Sequence, residues 1–235
     1  MNVYEEWKWI MNEKKLVGDK AATFVEDNMV VGLGTGSTAA YMVEAVAKRV
    51  KEEGLNLTCV STSIATRKQA TELGLNVVDL AEVDEIDLTI DGADEISHDF
   101  QGIKGGGGAL LFEKIVAINS KKNIWIVGDS KLVEHLGAFP LPVEVVKFGS
   151  EHLFTTFKAK GYKPKYRMSD SDTKFVTDAE HYIIDLHLET IEDPKALALE
   201  LNNEIGVVEH GLFIDIVNQV IVSNDQGEIE IIEAQ

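Results

Sequence analysis

Cysteine and proline are scarce in this chain, which has one cysteine and four prolines in 235 residues. The single cysteine, Cys59, excludes an internal disulfide bond and a zinc site built from several cysteines. No apolar run approaches the roughly 20 residues that cross a bilayer, and residues 1–27 lack the apolar core of a signal peptide. These absences predict a cytoplasmic location.

Positive charge is also in short supply, since 22 lysines and arginines face 40 aspartates and glutamates, for a net charge of −18. Such a field disfavours nucleic acids and anionic membrane surfaces as partners. It would also repel a phosphate dianion. A phosphate site in this chain must therefore use local donors, such as a few lysines, backbone N–H groups and helix N-termini.

The first two-thirds of the chain alternates short apolar runs with helical patterns. This alternation predicts an α/β fold with a parallel sheet and helices on both faces, whose default ligand site is the crevice at the carboxyl ends of the strands. The predicted strands are 29–33, 57–61, 76–78, 87–90 and 123–127, and the predicted helices are 37–51, 63–73 and 109–119.

Two of the four prolines, Pro140 and Pro142, mark a change of character. The order of elements after them predicts a small α+β module, followed by short strands over 211–232 with a turn at 225–227. The predicted strands of the module are 143–147, 164–167, 175–176 and 182–188, and its helices are 151–160 and one that begins at Pro194.

The loop 32–38, Gly-Leu-Gly-Thr-Gly-Ser-Thr, connects a predicted strand to a predicted helix. It is no dinucleotide fingerprint, because Ser37 stands at the third glycine position, and it lacks the lysine of a P-loop. The exposed N–H groups and hydroxyls that remain suit a phosphate or a sugar hydroxyl. Ser37 as a simple N-cap is the alternative.

Two further loops carry charge. Asp91 and Asp94 follow a predicted strand, where they could bind sugar hydroxyls, hold a divalent cation or cap a helix. Lys104 precedes four glycines, and Glu113 follows them; this set suits an anionic substrate that must lose a proton, although a flexible turn before a helix is an equal alternative. In a parallel sheet, all three loops are expected at strand carboxyl ends, facing one crevice. No histidine pair shows metal-ligand spacing.

Together these motifs resemble the type A family of ribose-5-phosphate isomerases, in order and over nearly the whole chain. Two departures are visible: the family commonly has alanine at the position of Gly108, and it often reads Thr-Asp-Asn-Gly-Asn where this chain has Thr-Asp-Ala-Glu-His at 177–181. The matching segments are 32–38, 91–95, 104–107 with Glu113, 128–131, 139–145, 166–167, 176–178, 182–185, 206–208 and 211–213.

The resemblance implies interconversion of D-ribose 5-phosphate and D-ribulose 5-phosphate through an enediolate, without cofactor or metal. It implies that Glu113 is the base, that Lys104 and glycine-loop N–H groups stabilise the oxyanion, and that Asp91 assists ring opening. The substrate-binding residues it implies are Thr35, Gly36, Ser37, Thr38, Asp91, Gly92, Ala93, Asp94, Lys104, Gly105, Gly106, Gly107 and Lys131.

The implied fold is a Rossmann-like parallel-sheet large domain, 1–136 with 211–235, and a small inserted α+β domain, 137–210, in a homodimer or homotetramer. Three rivals stay open: a related amino-sugar-phosphate isomerase or lactonase, a non-catalytic sugar-phosphate sensor, and a metal-dependent hydride-shift isomerase using Asp91 and Asp94. A sensor of the regulator type would need a DNA-binding segment, which the acidic residues 1–28 cannot supply, and it has no need of Glu113.

Overall fold

The computed structural model describes residues 3–234, with side chains from residue 13 onward. The chain forms two compact units. The first unit comprises Met1–Gly92, Ile115–Lys131 and Ile216–Gln235, and the second comprises Ala93–Lys114 and Leu132–Asp215. Residues 93–114 thus pack with the second unit, whereas the sequence assigned them to the large domain. The division into domains of 1–136 with 211–235 and 137–210 stays a prediction.

The first unit is built on one six-stranded sheet in the order β14-β13-β6-β3-β1-β2. The five strands from β13 to β2 are parallel to one another, and β14 pairs antiparallel with β13 at the edge. The strands are β1 Val30–Leu33, β2 Thr58–Ser61, β3 Ile86–Gly92, β6 Ser120–Gly128, β13 Gln219–Ser223 and β14 Ile229–Glu233; the helices are α1 Val3–Ala22, α2 Ser37–Glu53 and α3 Ile64–Glu72.

The core of the first unit follows from the sequence pattern. Met42, Val43 and Val46 on α2 are fully buried, and their spacing of one, three and four residues forms one stripe along a helix. They pack in one cluster with buried strand residues such as Val31 and Leu33. Burying both faces of a parallel sheet explains why its strands are continuous apolar runs.

The second unit contains two four-stranded sheets, in the orders β11-β8-β10-β9 and β12-β5-β4-β7. Its elements are β4 Glu95–Ser97, β5 Gly102–Ile103, β7 Leu132–Val133, β8 Leu141–Val145, α5 Ser150–Ala159, β9 Pro164–Tyr166, β10 Tyr182–Leu186, α6 Pro194–Asn202, β11 Val207–His210 and β12 Leu212–Phe213. The helix α4, Leu110–Ile118, begins in this unit and ends in the first. The α/β class and the α+β module are confirmed.

Three local predictions are wrong. The strand predicted over 76–78 is a single bridge between Val77 and Cys59, and the strand at 175–176 is likewise reduced to an isolated bridge from Val176 to Tyr182. The glycine loop at 105–108 follows β5 of the small sheet and precedes α4. It therefore does not lie at the carboxyl end of a strand of the parallel sheet.

Over residues 3–234, no helix combines the length and apolarity that a membrane span requires.

Candidate active site

The loop 32–38 leaves β1 and is fixed from two sides. The backbone N–H of Thr35 donates to Asp91 Oδ1 at 2.9 Å. The Thr35 hydroxyl lies 2.6 Å from the hydroxyl of Thr62 and donates to Ser63 Oγ at 2.9 Å. Because both its hydroxyl and its backbone N–H are engaged by these neighbours, Thr35 holds the shape of the loop.

The helix α2 begins without a side-chain cap. Its N-cap is Gly36, with φ of 107°, and Ser37 is the first helical residue, so Ser37 as N-cap is wrong. In contrast, α3 is capped by Ser63, whose side chain accepts from the Thr66 N–H. Ser37 is exposed, and its Oγ accepts a hydrogen bond from Lys14 Nζ at 2.8 Å. A cation thus stands beside the open N-terminus of a 17-residue helix, an arrangement that attracts anions.

Asp91 is the penultimate residue of β3 and is only 3% exposed. Its Oδ1 accepts from the N–H groups of Thr35 and Gly92, at 2.9 and 2.8 Å. Position 34 must be glycine, because a Cβ there would lie 2.1 Å from Asp91 Oδ1. Lys131 ends the short 3-10 turn that follows β6. Since β1, β3 and β6 are parallel neighbours, loop 32–38, Asp91 and Lys131 lie at one edge of the sheet.

Asp94 and Glu95 belong to the second unit. Asp94 Oδ2 accepts from the Gly106 N–H at 2.8 Å, so this carboxylate braces the glycine loop. Glu95 is 4% exposed and accepts from the N–H groups of Gly137 and Phe139, at 2.7 and 2.6 Å. Glu95 is therefore a structural brace of the turn before Pro140.

Lys104 and Glu113 form a buried ion pair in the second unit. Lys104 Nζ lies 3.6 Å from Glu113 Oε2, and the two side chains are 3% and 4% exposed. Glu113 lies in the first turn of α4, the end of a helix that favours negative charge. Lys104 Nζ also lies 5.2 Å from the centre of the Phe213 ring. This buried pair therefore offers a carboxylate that can act as a base and, next to it, an ammonium group that can stabilise negative charge.

A second ion pair contacts the same ring. Lys114 Nζ lies 4.9 Å from the Phe213 centre and donates to Glu209 Oε1 at 2.5 Å and to the His210 carbonyl at 2.7 Å. Burial lowers the pKa of Lys114, against the raising effect of Glu209. Burial, reinforced by Lys114, lowers the pKa of His210 to about 4. This second pair is less buried than the first, at 13% and 20% exposed.

The predicted site residues therefore fall into two groups. The first unit holds Thr35, Gly36, Ser37, Thr38, Asp91, Gly92 and Lys131, and the second holds Ala93, Asp94, Lys104, Gly105, Gly106, Gly107 and Glu113. Sequence reasoning missed the hydroxyl cluster of Thr62, Ser63 and Thr66, which no sequence motif signals, and it did not assign Lys14 to the site. Among the residues that the structure describes, no group of three or more His, Cys, Asp or Glu could hold a metal ion.

The family model of ribose 5-phosphate isomerase A (phosphoriboisomerase A) matches residues 58–227. The chain is 59% identical to ribose-5-phosphate isomerase A of Enterococcus faecalis over 217 residues, covering 92% of this chain and 96% of that protein. The solved structure of ribose 5-phosphate isomerase A from Methanocaldococcus jannaschii has a TM-score of 0.88 at 36% identity, covering 94% of this chain and 97% of that one.

A second solved structure, of a D-ribose-5-phosphate isomerase in complex with phospho-erythronic acid, has a TM-score of 0.90 at 35% identity and covers 99% of this chain and 100% of that one. Fold and comparisons define an α/β enzyme of the isomerase class, with the Rossmann-like architecture expected from the sequence. The chain belongs to the ribose 5-phosphate isomerase A family.

Proposed function

We propose that this chain interconverts D-ribose 5-phosphate and D-ribulose 5-phosphate through an enediolate, with Glu113 as the base. The observation that carries the proposal is the buried Lys104–Glu113 pair beside the glycine loop, in a member of this family. Burial favours the uncharged form of a carboxylate, whereas a nearby ammonium favours the charged form, which is the form that accepts a proton. The reaction belongs to the non-oxidative branch of the pentose phosphate pathway.

The proposed chemistry moves one carbon-bound proton. Glu113 takes the proton from C2 of the open-chain aldose, and the electron pair of that C–H bond forms the C1–C2 double bond while negative charge develops on O1. Lys104 and glycine-loop N–H groups stabilise that charge. Glu113 then returns a proton to C1, and the hydroxyl proton on O2 passes to O1, which leaves the ketone at C2. Asp91 and Asp94 hold substrate hydroxyls, and Asp91 assists ring opening.

Binding of the phosphate is assigned to the first unit. The donors are Ser37 and Thr38 at the uncapped start of α2, and the cations are Lys14 and Lys131; Ser37 is exposed and the other three are half-buried. The related isomerase binds phospho-erythronic acid, which is a phosphorylated sugar acid. This supports a sugar phosphate as the substrate here. We place the enzyme in the cytoplasm, as a homodimer or homotetramer with two domains per chain.

Isomerisation in D₂O tests the mechanism. The proposal expects deuterium at C1 of ribulose 5-phosphate, partial at early times, because one base can return the original proton, and rising over repeated turnovers. Mass spectrometry of the recovered product measures it. No deuterium after many turnovers would contradict an exchanging enediolate and favour a hydride shift. Loss of activity with EDTA that Mg²⁺ or Mn²⁺ restores would favour the metal-dependent rival at Asp91 and Asp94.

A further inference from the structure

The glycine loop is held by an arginine that the chemistry above does not use. Arg167 follows β9, and its side chain is 15% exposed. Its Nη1 donates to the carbonyls of Gly105 and Gly106, at 2.6 and 3.0 Å. Its Nε and Nη2 donate to the two carboxylate oxygens of Asp185 on β10, at 3.0 and 2.5 Å. One carboxylate thus fixes the guanidinium through Nε and Nη2, and the remaining nitrogen, Nη1, donates to the carbonyls of two successive peptide groups.

These contacts fix how the peptide groups of the loop are turned. The peptide between Gly105 and Gly106 is held at both ends, since its carbonyl accepts from Arg167 and its N–H donates to Asp94 Oδ2 at 2.8 Å. The carbonyl of the next peptide, between Gly106 and Gly107, also accepts a hydrogen bond from Arg167. No peptide bond among the described residues is cis, so the Gly107 N–H points away from the guanidinium.

The orientation of the Gly107 N–H is therefore fixed, so this group can act as a preorganised hydrogen-bond donor. Gly107 is exposed, and within the described part of the chain its N–H makes no backbone hydrogen bond. A donor held in place before the reaction needs no reorganisation when negative charge develops, which is the property of an oxyanion-stabilising group.

The segment after Arg167 contacts the loop a second time. The Phe175 ring occupies the space next to Gly108, where a Cβ would lie 2.5 Å from its Cε1. Gly108 also has φ of 82°, which disfavours a side chain. Glycine at position 108 therefore leaves room for the Phe175 ring to pack against the loop.

We infer that Arg167 is a positioning residue: through the Gly105 and Gly106 carbonyls it aims the Gly107 N–H at the enediolate oxyanion. This inference rests on the proposed function for the identity of the oxyanion. Because the contacts of Arg167 are with the loop carbonyls and with Asp185, its loss should appear in the chemical step rather than in ground-state binding.

The chain contains a matched control for this arginine. Arg49 on α2 uses the same fork: Nε and Nη2 donate to Glu53 at 2.8 and 2.7 Å, and Nη1 donates to the carbonyls of Ala22 and Val25 at 2.6 and 2.7 Å. A lysine at either position keeps the charge but cannot make the bidentate contact together with both carbonyl bonds. Arg49→Lys therefore reproduces the structural loss at a place outside the glycine loop.

The experiment compares Arg167→Lys with Arg49→Lys. Arg167→Lys is expected to lower kcat about 10- to 100-fold, less than the roughly 10²–10³-fold for deleting an oxyanion donor outright, with KM within about threefold. Arg49→Lys is expected to lower the melting temperature similarly and leave kcat within about twofold. An Arg167→Lys enzyme that loses only melting temperature, as Arg49→Lys does, would overturn the inference.

A binding readout separates this inference from the proposed function. Calorimetry with phospho-erythronic acid, which carries a carboxylate in addition to its phosphate, should show weaker binding to Arg167→Lys by about tenfold, whereas inorganic phosphate should bind wild type and Arg167→Lys equally. Equal weakening of both ligands would overturn the positioning role. A wild-type protein that binds but does not isomerise would overturn the proposed function alone. If Arg167→Lys does not fold, Asp185→Asn, which loosens the same fork, is judged by the same criteria.

Discussion

In the first unit the candidate phosphate-binding groups include the exposed start of α2, whereas in the second unit the candidate acid–base groups are buried. Ser37 and Gly36 are exposed at the start of α2. Lys104 and Glu113 are 3% and 4% exposed and neutralise one another. One region thus offers donors that water already reaches, and the other offers charges from which water is excluded.

The difference reflects what each task requires. A chain of net charge −18 repels a dianion as a whole, so a phosphate needs accessible local donors, and a helix start with a nearby lysine provides them without burying a charge. A base acting on carbon gains from a low dielectric, but a buried carboxylate persists only with a partner. Breaking the pair in the second unit should therefore affect rate, and weakening the donors in the first should affect binding.

The largest effect is expected for Glu113→Gln. Glu113 is the only carboxylate on α4, and a positioned general base contributes roughly 10²–10⁴-fold to rate. The amide keeps the shape and loses the basicity, so kcat should fall by that factor while substrate binding is largely retained. Steady-state kinetics and calorimetry measure the two quantities.

Glu209→Gln is the matched control, because Glu209 pairs with the other lysine that contacts Phe213. It should cost stability and keep kcat within about fivefold of wild type. A Glu113→Gln enzyme that retained more than about a tenth of the wild-type kcat would remove Glu113 from the role of base.

The next effect is expected for Lys104→Ala, which should lower kcat more than it raises KM, because an ammonium serving the oxyanion acts mainly in the transition state. A loss of about 10²-fold in kcat is the expectation for one stabilising donor. Lys114→Met removes the other cation on the same ring and should act on stability alone. A rise in KM without a fall in kcat would mean that Lys104 only binds the ground-state substrate.

The sequence predicted the first unit better than the second, for a physical reason. Strands buried on both faces and amphipathic helices have strong periodicity, so α2 was predicted at 37–51 and is observed at Ser37–Glu53. The small sheet of β4, β5, β7 and β12 has strands of two or three residues, too short for any period to show. Its pairing is decided by tertiary contacts, which is why the glycine loop was wrongly placed after a strand of the parallel sheet.

The candidate site shows the same limit. The charged and glycine-rich motifs identified Lys104 and Glu113, and the structure brings them to 3.6 Å. Arg167 is separated by about 60 residues from the carbonyls it holds, and such contacts leave no local spacing to detect. Lys14 lies among other charged residues of α1, so only its contact with Ser37 distinguishes it from a solvated side chain.

A smaller effect is expected on the pH dependence of stability, through a buried histidine of the second unit. His210 is 2% exposed, and its pKa is lowered from an unfolded value near 6.5 to about 4 by burial and by Lys114. As pH falls, His210 therefore becomes protonated in the unfolded chain at a higher pH than in the folded protein. Stability is unaffected above about pH 7 and declines as pH falls from about 6.5 to about 4, by about 2 kcal/mol between pH 7 and 5.

Denaturant unfolding of wild type and His210→Asn at several pH values tests this. An asparagine oxygen can replace Nδ1, which accepts from the Leu212 N–H at 3.2 Å, so the variant should fold and lack that part of the acid decline. His152→Asn, at an exposed histidine, should follow wild type at every pH. Parallel curves for wild type and His210→Asn would mean that the cluster around Lys114, Glu209 and His210 is hydrated.

The smallest effect is expected in the first unit, for Lys14→Ala. Lys14 Nζ donates to Ser37 Oγ beside the uncapped start of α2. We expect its loss to raise KM about tenfold, which corresponds to about 1.4 kcal/mol, with kcat nearly unchanged. Lys15→Ala is the control, because the neighbouring Lys15 is exposed and pairs with Asp19 at 2.6 Å. Both substitutions change the net charge equally. A similar rise in KM for both variants would mean that the field of the whole molecule, and not a local contact of Lys14, governs phosphate binding.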